Sequence, residues 1–192
     1  IWPLLEDREG NVWAGTSRGL GRFRRRALMP AGFPTDALNV ALAAGKDGAL
    51  WAGASTRAAM RMHEGRLETL SAPAPLTSAM TDRAGVVWMG GRGGIWRSQG
   101  SQLDRVAGLP ARAAPDSSVR AMARDPAGRL WVSINRAGLY VLEEGRWTRH
   151  PAPTTRPSQR MPVTASTDLQ GTLWFGYRDN LIVTRDALGD RV

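Results

Sequence analysis

The sequence predicts an all-β chain of repeated four-stranded antiparallel units, and three observations carry that expectation. The first is a seven-residue pattern of Asp, two variable residues, Gly, one variable residue, an aliphatic residue and Trp. It occupies Asp7–Trp13, Asp82–Trp88, Asp125–Trp131 and Asp168–Trp174; a fifth copy, Gly45–Trp51, keeps the Gly and the Trp but has Gly45 where the others have Asp. The second is the even spacing of the anchors Trp13, Trp51, Trp88, Trp131 and Trp174, which stand 38, 37, 43 and 43 residues apart. A period near forty residues marks a repeat architecture. The third is the texture between the copies, where short apolar or alternating runs are separated by turn residues and prolines.

The fourth copy shows the unit best. Ser118–Arg124 alternates apolar and polar residues, as a half-buried strand does. Asp125–Gly128 is a turn, with Asp able to bond the backbone ahead and Gly suited to the last position. Leu130–Ile134 is apolar on both faces, which predicts a strand covered on two sides. Asn135–Ala137 is a short loop, Gly138–Leu142 a third strand, Glu143–Gly145 a turn and Arg146–His150 the outermost strand. The repeats fall at about 1–34, 35–75, 76–116, 117–161 and 162–192. In the first, Arg24–Arg26 and Pro30 interrupt the place of a fourth strand, and in the fifth no fourth strand is evident. Prolines such as Pro34, Pro75, Pro110 and Pro162 lie between copies, where no ladder bond is lost. Four antiparallel strands repeated radially describe the blades of a β-propeller, here about five blades. The anchor tryptophans are then expected to fill the space between neighbouring blades.

Composition narrows the function. The chain has 192 residues, 42% of them hydrophobic, and no cysteine, which excludes disulfides and thiolate metal sites. No apolar run approaches the roughly 20 residues that span a bilayer. The formal charge of +9 is carried almost wholly by arginine scattered through every repeat; Lys46 is the sole lysine. A nucleic-acid binder gathers its basic residues on one face and interleaves them with stacking aromatics. Nucleic acid is therefore not an expected partner, and the basic run from Arg22 to Arg26 is read as a solvated turn.

The segment Asp7–Leu20, which reads Asp-Arg-Glu-Gly-Asn-Val-Trp-Ala-Gly-Thr-Ser-Arg-Gly-Leu, resembles the two-component regulator propeller repeat. Gly108-Leu109-Pro110 resembles the connector that often precedes a blade of that family, and Gly32-Phe33-Pro34 is a variant of it. Gly45 and Ser133 depart from the pattern. The resemblance implies the periplasmic sensor region of a bacterial membrane signalling protein, whose cytoplasmic output is a histidine kinase or a diguanylate cyclase. It also implies a region that is itself non-enzymatic and carries no cofactor, and a seven-bladed propeller of which these five repeats are a part.

Candidate site residues are the arginines of the loop between second and third strands: Arg18, Arg57, Arg92, Arg136 and Arg178. Each lies four to six residues past its anchor Trp. Such a set at one rim suits a small-molecule ligand that is anionic, a carboxylate or phosphate, or a carbohydrate. The repeated aspartates are read as turn caps, because a catalytic group is rarely repeated with the fold. His63 and His150 have no neighbours at metal-ligand spacing, so no metal site is expected. Two other readings stand beside the sensor: a protein-contact scaffold, and an enzyme like the streptogramin lyases, which needs a His and acids near a central channel. Homodimerisation through open blade faces, or contact with the rest of a receptor, is the expected protein partnership.

Overall fold

The computed structural model describes residues 3–16, 19–24, 27–30, 32–71, 75–156, 159–186 and 189–191. They form five four-stranded antiparallel sheets, each with its strands in sequence order. The first blade comprises β1 (Leu4–Glu6), β2 (Val12–Thr16), β3 (Gly19–Arg24) and β4 (Ala27–Pro30). The second comprises β5 (Ala41–Ala44), β6 (Leu50–Gly53), β7 (Met60–His63) and β8 (Arg66–Thr69). The third has β9 (Leu76–Thr81), β10 (Val87–Gly91), β11 (Gly94–Gln99) and β12 (Gln102–Ala107). The fourth has β13 (Val119–Arg124), β14 (Leu130–Ile134), β15 (Gly138–Glu143) and β16 (Arg146–Arg149). The fifth has β17 (Thr164–Thr167), β18 (Leu173–Gly176), β19 (Ile182–Asp186) and β20 (Gly189–Arg191). The chain divides into two compact units at Val106/Ala107, three blades in the first and two in the second. These are β-propeller blades, and the fold class is all-β as the repeat predicts.

Two expectations are corrected. The first and fifth repeats both have a fourth strand. In β4, Ala27 pairs with Arg24 and Pro30 with Gly21. Pro30 is tolerated because it sits at the end of an edge strand, where the N–H it lacks would have no ladder partner on its outer side. In β20, Gly189 pairs with Asp186 and Arg191 with Thr184. β20 has no apolar pattern of its own, and the apolar run of β4 is bounded by the arginines and the proline that hid it; both form by completing an edge that the third strand offers. The Arg25–Arg26 part of the basic run lies outside the described residues. His63 ends β7.

The repeated heptapeptide forms one turn five times. In the fourth blade Asp125 N–H donates to Arg129 O at 3.1 Å, and Gly128 N–H donates to Asp125 O at 2.9 Å. The same two bonds recur at Asp7, Gly45, Asp82 and Asp168. The turn ends on a residue at positive φ: Gly10, Gly48, Gly85, Gly128 and Gly171 lie between 74° and 93°, a region that glycine enters without steric cost. At the outer hairpins, Glu64-Gly65 and Glu144-Gly145 have both central residues at positive φ. That is the type I′ geometry that matches strand twist.

Packing between blades rests on the second strands. In β6, β10 and β14 every residue is buried, as predicted for a strand covered on both sides. In β2 and β18 burial is broken, because Val12, Thr16 and Trp174 are exposed. Trp13 packs in one cluster with Val40, Leu42, Leu50 and Ala52 of the second blade. Trp51 does the same with Leu76, Val87 and Met89 of the third, and Trp131 with Leu173, Phe175 and Val183 of the fifth. The predicted role of the anchors as inter-blade filling therefore holds for these three. Burying one such indole removes about 150–250 Å² from water, an upper bound of roughly 4–6 kcal/mol.

The residue two past the anchor sets how closely blades approach. A Cβ on Gly53 would lie 2.6 Å from Leu76 O of the next blade. Ser133, the departure noted at the equivalent place in the fourth blade, uses its hydroxyl there to donate to Pro162 O at 2.6 Å. The first strands are stitched similarly, with Thr81 Oγ1 donating to Ala44 O at 2.6 Å and Thr167 Oγ1 to Arg124 O at 2.9 Å.

Candidate functional site

The aspartates that begin each turn are structural. Asp125 Oδ1 accepts from Arg129 N–H at 2.9 Å, while Oδ2 accepts from Trp131 Nε1 at 3.0 Å and from Arg129 Nε at 2.7 Å. The indole bond recurs at Trp13–Asp7 (2.7 Å), Trp88–Asp82 (2.8 Å) and Trp174–Asp168 (2.9 Å). One carboxylate thus closes the turn with one oxygen and fixes the anchor ring with the other. Burial opposes ionisation of Asp125 and Asp7, but the bonds from their tryptophans and neighbouring amides outweigh it and hold both carboxyls below the usual 3.8. The expected turn caps are therefore present, and their second bond, to the anchor indole, is what sequence reasoning missed.

The second blade reaches the same end by another route. A Cβ on Gly45 would lie 2.5 Å from Asp47 Oδ1 and 2.9 Å from Trp51 Nε1, so the place of the missing carboxylate is already crowded. Asp47 accepts from Ala49 N–H at 3.1 Å and from Arg61 at 2.5 Å. Arg61 is buried and lies over the Trp51 ring, 5.6 Å from its centroid. The acid has moved two positions along the turn and holds the anchor through an arginine.

The predicted arginines fall as follows. Arg57 is exposed and ion-paired with Asp36, both of its guanidinium contacts going to that carboxylate. Arg136, exposed and at φ 63°, is ion-paired with Asp116. Arg92 and Arg178 are exposed on their loops. Arg18 lies outside the described residues. The loop between second and third strands is latched to the connector that enters its own blade: Ser55 N–H donates to Leu38 O at 2.8 Å, and Asn135 N–H to Ser118 O at 2.9 Å. In the second and fourth blades these loops therefore lie beside the connectors. The partner aspartates were missed, although each follows a proline closely (Pro34-Thr35-Asp36 and Pro115-Asp116) and stands 21 or 20 residues before its arginine. Comparing the second and fourth repeats with each other would have found them.

His150 and His63 form no metal centre, and no group of three His, Cys, Asp or Glu side chains suited to a metal occurs among the described residues. His150 Nε2 is 2.9 Å from Asp190 Oδ2, and Asp190 Oδ1 accepts from Arg185 at 2.7 Å. Arg185 lies 4.8 Å from the centroid of Trp131, whose ring also meets the His150 edge at 5.1 Å. These groups bind the fourth blade to the fifth. Beside them is a cavity of about 380 Å³, lined by Asp125, Arg129, Gln170, Thr172, Arg185 and Asp186. Its arginines and aspartates are engaged with one another or with flanking residues.

With this geometry in view, the chain can be compared with known proteins. It carries a two component regulator propeller repeat: the family model of that description matches residues 114–136. The matched stretch runs across the Asp116 connector, β13, the Asp125 turn, the Trp131 strand and the Arg136 loop, so it contains both the anchor and the latch. Among solved structures, the chain is similar to the extracellular domain of a one component system protein from B. thetaiotaomicron (20% identity, TM-score 0.71). That match covers 91% of this chain and 25% of the other. It is also similar to a streptogramin B lyase (14% identity, TM-score 0.74), covering 98% of this chain and 66% of the lyase. A third similar structure is YCF48 bound to D1 peptide (14% identity, TM-score 0.63; 98% of this chain, 67% of that one). At these identities the likeness is one of fold. The chain spans a quarter of the length of the first of these structures and about two thirds of the other two. No curated protein matches it. Among the described residues, no helix is long and apolar enough to cross a membrane.

Proposed function

We propose that this chain is the ligand-sensing part of an extracytoplasmic receptor region in a bacterial signal-transduction protein, in the manner its propeller repeat implies. The observation that carries the proposal is the two component regulator propeller repeat at 114–136, set in blades whose repeated acids serve the turns and anchors. Those acids are committed to structure, which leaves the rim loops as the variable, solvent-facing part that can meet a ligand. The ligand is a small anion, a carboxylate or phosphate, received at an exposed loop arginine, Arg92 in the first unit or Arg178 in the second. Arg57 and Arg136 already have carboxylate partners and serve mainly to hold their loops. Occupancy is relayed to a cytoplasmic kinase or cyclase. A lyase reading has less support, because His150 is held by Asp190 on the outer strands.

The test is a thermal-shift screen against organic acids, phosphorylated metabolites and neutral sugars. An anion present at a hundred times its Kd adds about 2.7 kcal/mol, which moves the Tm of a chain this size by roughly 5–10 °C. The shift should be lost in Arg92→Ala or Arg178→Ala and largely kept in Arg57→Ala and Arg136→Ala. Stabilisation that survives both Arg92→Ala and Arg178→Ala, or appears only with neutral sugars, would remove the anion site.

A further inference from the structure

The residue opposite the anchor tryptophan, on the third strand, differs between the blades. In the first three it is an arginine: Arg22 pairs with Trp13, Arg61 with Trp51 and Arg97 with Trp88. Arg22 and Arg61 lie over their own rings, 5.5 and 5.6 Å from the centroids. In the fourth blade the position is Val141. The cation over Trp131 comes instead from the following blade, as Arg185 at 4.8 Å. Arg185 therefore reaches across a junction whose two blades belong to one compact unit.

The cavity of about 380 Å³ is at this junction, lined from the Asp125 turn, the turn between β17 and β18, and β19. Its size is near the small end of ligand pockets, which run from about 300 to 1,000 Å³. Its charged lining is Asp125, Arg129, Arg185 and Asp186, with Pro126 and Leu173 as apolar surface. Asp125 is committed to its turn and to the Trp131 indole. The other three have capacity beyond the contacts they make, because a guanidinium has more N–H donors, and a carboxylate more acceptor positions, than one ion pair uses. Arg129 bonds Asp125 through Nε, and Arg185 bonds Asp190 through Nη1. Asp186 pairs at 3.2 Å with Arg191, whose side chain is 60% exposed; an ion pair in that setting adds little and is readily exchanged. The two guanidinium groups and two carboxylates of the lining cancel, and so do the flanking Asp190 and Arg191. The cavity thus presents both signs of charge with no net charge.

We propose that this cavity binds a small zwitterion, a free α-amino acid with an apolar side chain. Its carboxylate accepts from the guanidinium groups of Arg129 and Arg185, the charge-assisted geometry that arginine favours. Its ammonium takes the place of Arg191 at Asp186, and its side chain lies on Pro126 and Leu173. The charge pattern selects this class. A carboxylate alone would add uncompensated charge beside Asp125, Asp186 and Asp190, and an amine alone would do the same beside Arg129 and Arg185. A zwitterion answers both ends and leaves the lining neutral. The site lies at the opposite ends of β14 and β18 from the loops of Arg136 and Arg178, so it is separate from the anion site at those loops and does not rest on it.

The experiment is calorimetric titration of the chain with alanine, valine and leucine, and with the amine and the carboxylic acid that match each of them, with glucose as a neutral polar control. The amino acids should bind, and each half-molecule should bind about tenfold more weakly or worse, the effect of losing one charged hydrogen bond. Asp186→Asn should weaken the amino acids by a similar factor and leave the carboxylic acids unchanged. Thr172→Trp, which fills the cavity without altering its charges, should abolish binding; circular dichroism checks that the variant is folded, and Gln170→Trp is a second filling variant. Arg92→Ala and Arg178→Ala should bind amino acids as the wild type does, which keeps this result distinct from that of the loop arginines. A chain that binds none of the amino acids would overturn the proposal. So would amines, acids or glucose binding as tightly as the zwitterions, or amino-acid binding that is unchanged in Asp186→Asn and in both folded filling variants.

Discussion

Replacing Asp125 by Ala tests whether the repeated carboxylate holds the anchor as well as closing the turn. The change removes the acceptor of the Arg129 amide (2.9 Å), of the Trp131 indole (3.0 Å) and of the Arg129 guanidinium (2.7 Å). Hydrogen bonds to a charged group are worth about 1.5–3 kcal/mol each, and an orphaned buried donor costs about 1–3 kcal/mol. Trp131 is 2% exposed, so water cannot reach its Nε1 to replace the carboxylate. The Arg129 guanidinium is 40% exposed and returns to solvent at little cost. The expected loss is therefore about 3–5 kcal/mol, a large part of the stability of an ordinary domain. Urea denaturation followed by tryptophan fluorescence measures it. The control is Asp168→Ala, which removes the same bond from Trp174; that ring is 44% exposed and water takes over, so the loss should be a small fraction of the first. In a Trp131→Phe background the cost of Asp125→Ala should shrink, because no indole N–H is left unpaired. Equal losses at Asp125 and Asp168, or no coupling between Asp125 and Trp131, would refute the reasoning.

Three further outcomes follow from the same structure. Asp7 and Asp125 titrate below 3.8 when folded, so their stabilisation is complete above that value and disappears as pH falls through the lowered folded value; acid unfolding curves should show this, with a weaker pH dependence in Asp125→Asn. Asp47→Ala strips buried Arg61 of its nearest carboxylate and should cost roughly 2 kcal/mol, and Arg61→Met in the same chain should recover part of it, since an apolar side chain carries no buried charge. Burial, with a lesser contribution from the charge of Asp190, pushes the Tyr177 phenol up to about 12; stability tied to it should hold below its ordinary 10 and fall as pH rises through about 12, and the late step in ultraviolet titration should vanish in Tyr177→Phe.

How much was legible follows from the range of the forces involved. The five turns could be read because an Asp side chain bonds the backbone two and four residues ahead and a Gly enters positive φ unaided, both within one heptapeptide. The period then implied blades, and alternation or full apolarity located the inner strands. The edge strands β4 and β20 were not legible, since they form by pairing with a neighbour already in place. The bonds from Trp131 to Asp125 and from Arg136 to Asp116 join residues 6 and 20 positions apart. The repeats carry these residue types at recurring positions, but that the side chains touch is decided only when the strands bring them together. The five candidate arginines share a loop position in the sequence, but the fold gives Arg57 and Arg136 a carboxylate each and leaves Arg92 and Arg178 exposed at theirs.

The sequence by itself determined the repeat, the turn chemistry and the number of blades, because these rest on local stereochemistry copied five times. Only the tertiary structure decided what each copy of the same tryptophan does. Trp51 and Trp131 are closed by a following blade, whereas Trp174, with the same neighbours in sequence and the same bond to its aspartate, keeps 44% of its surface in water. Burial depends on what stands across the face, and no residue encodes that alone.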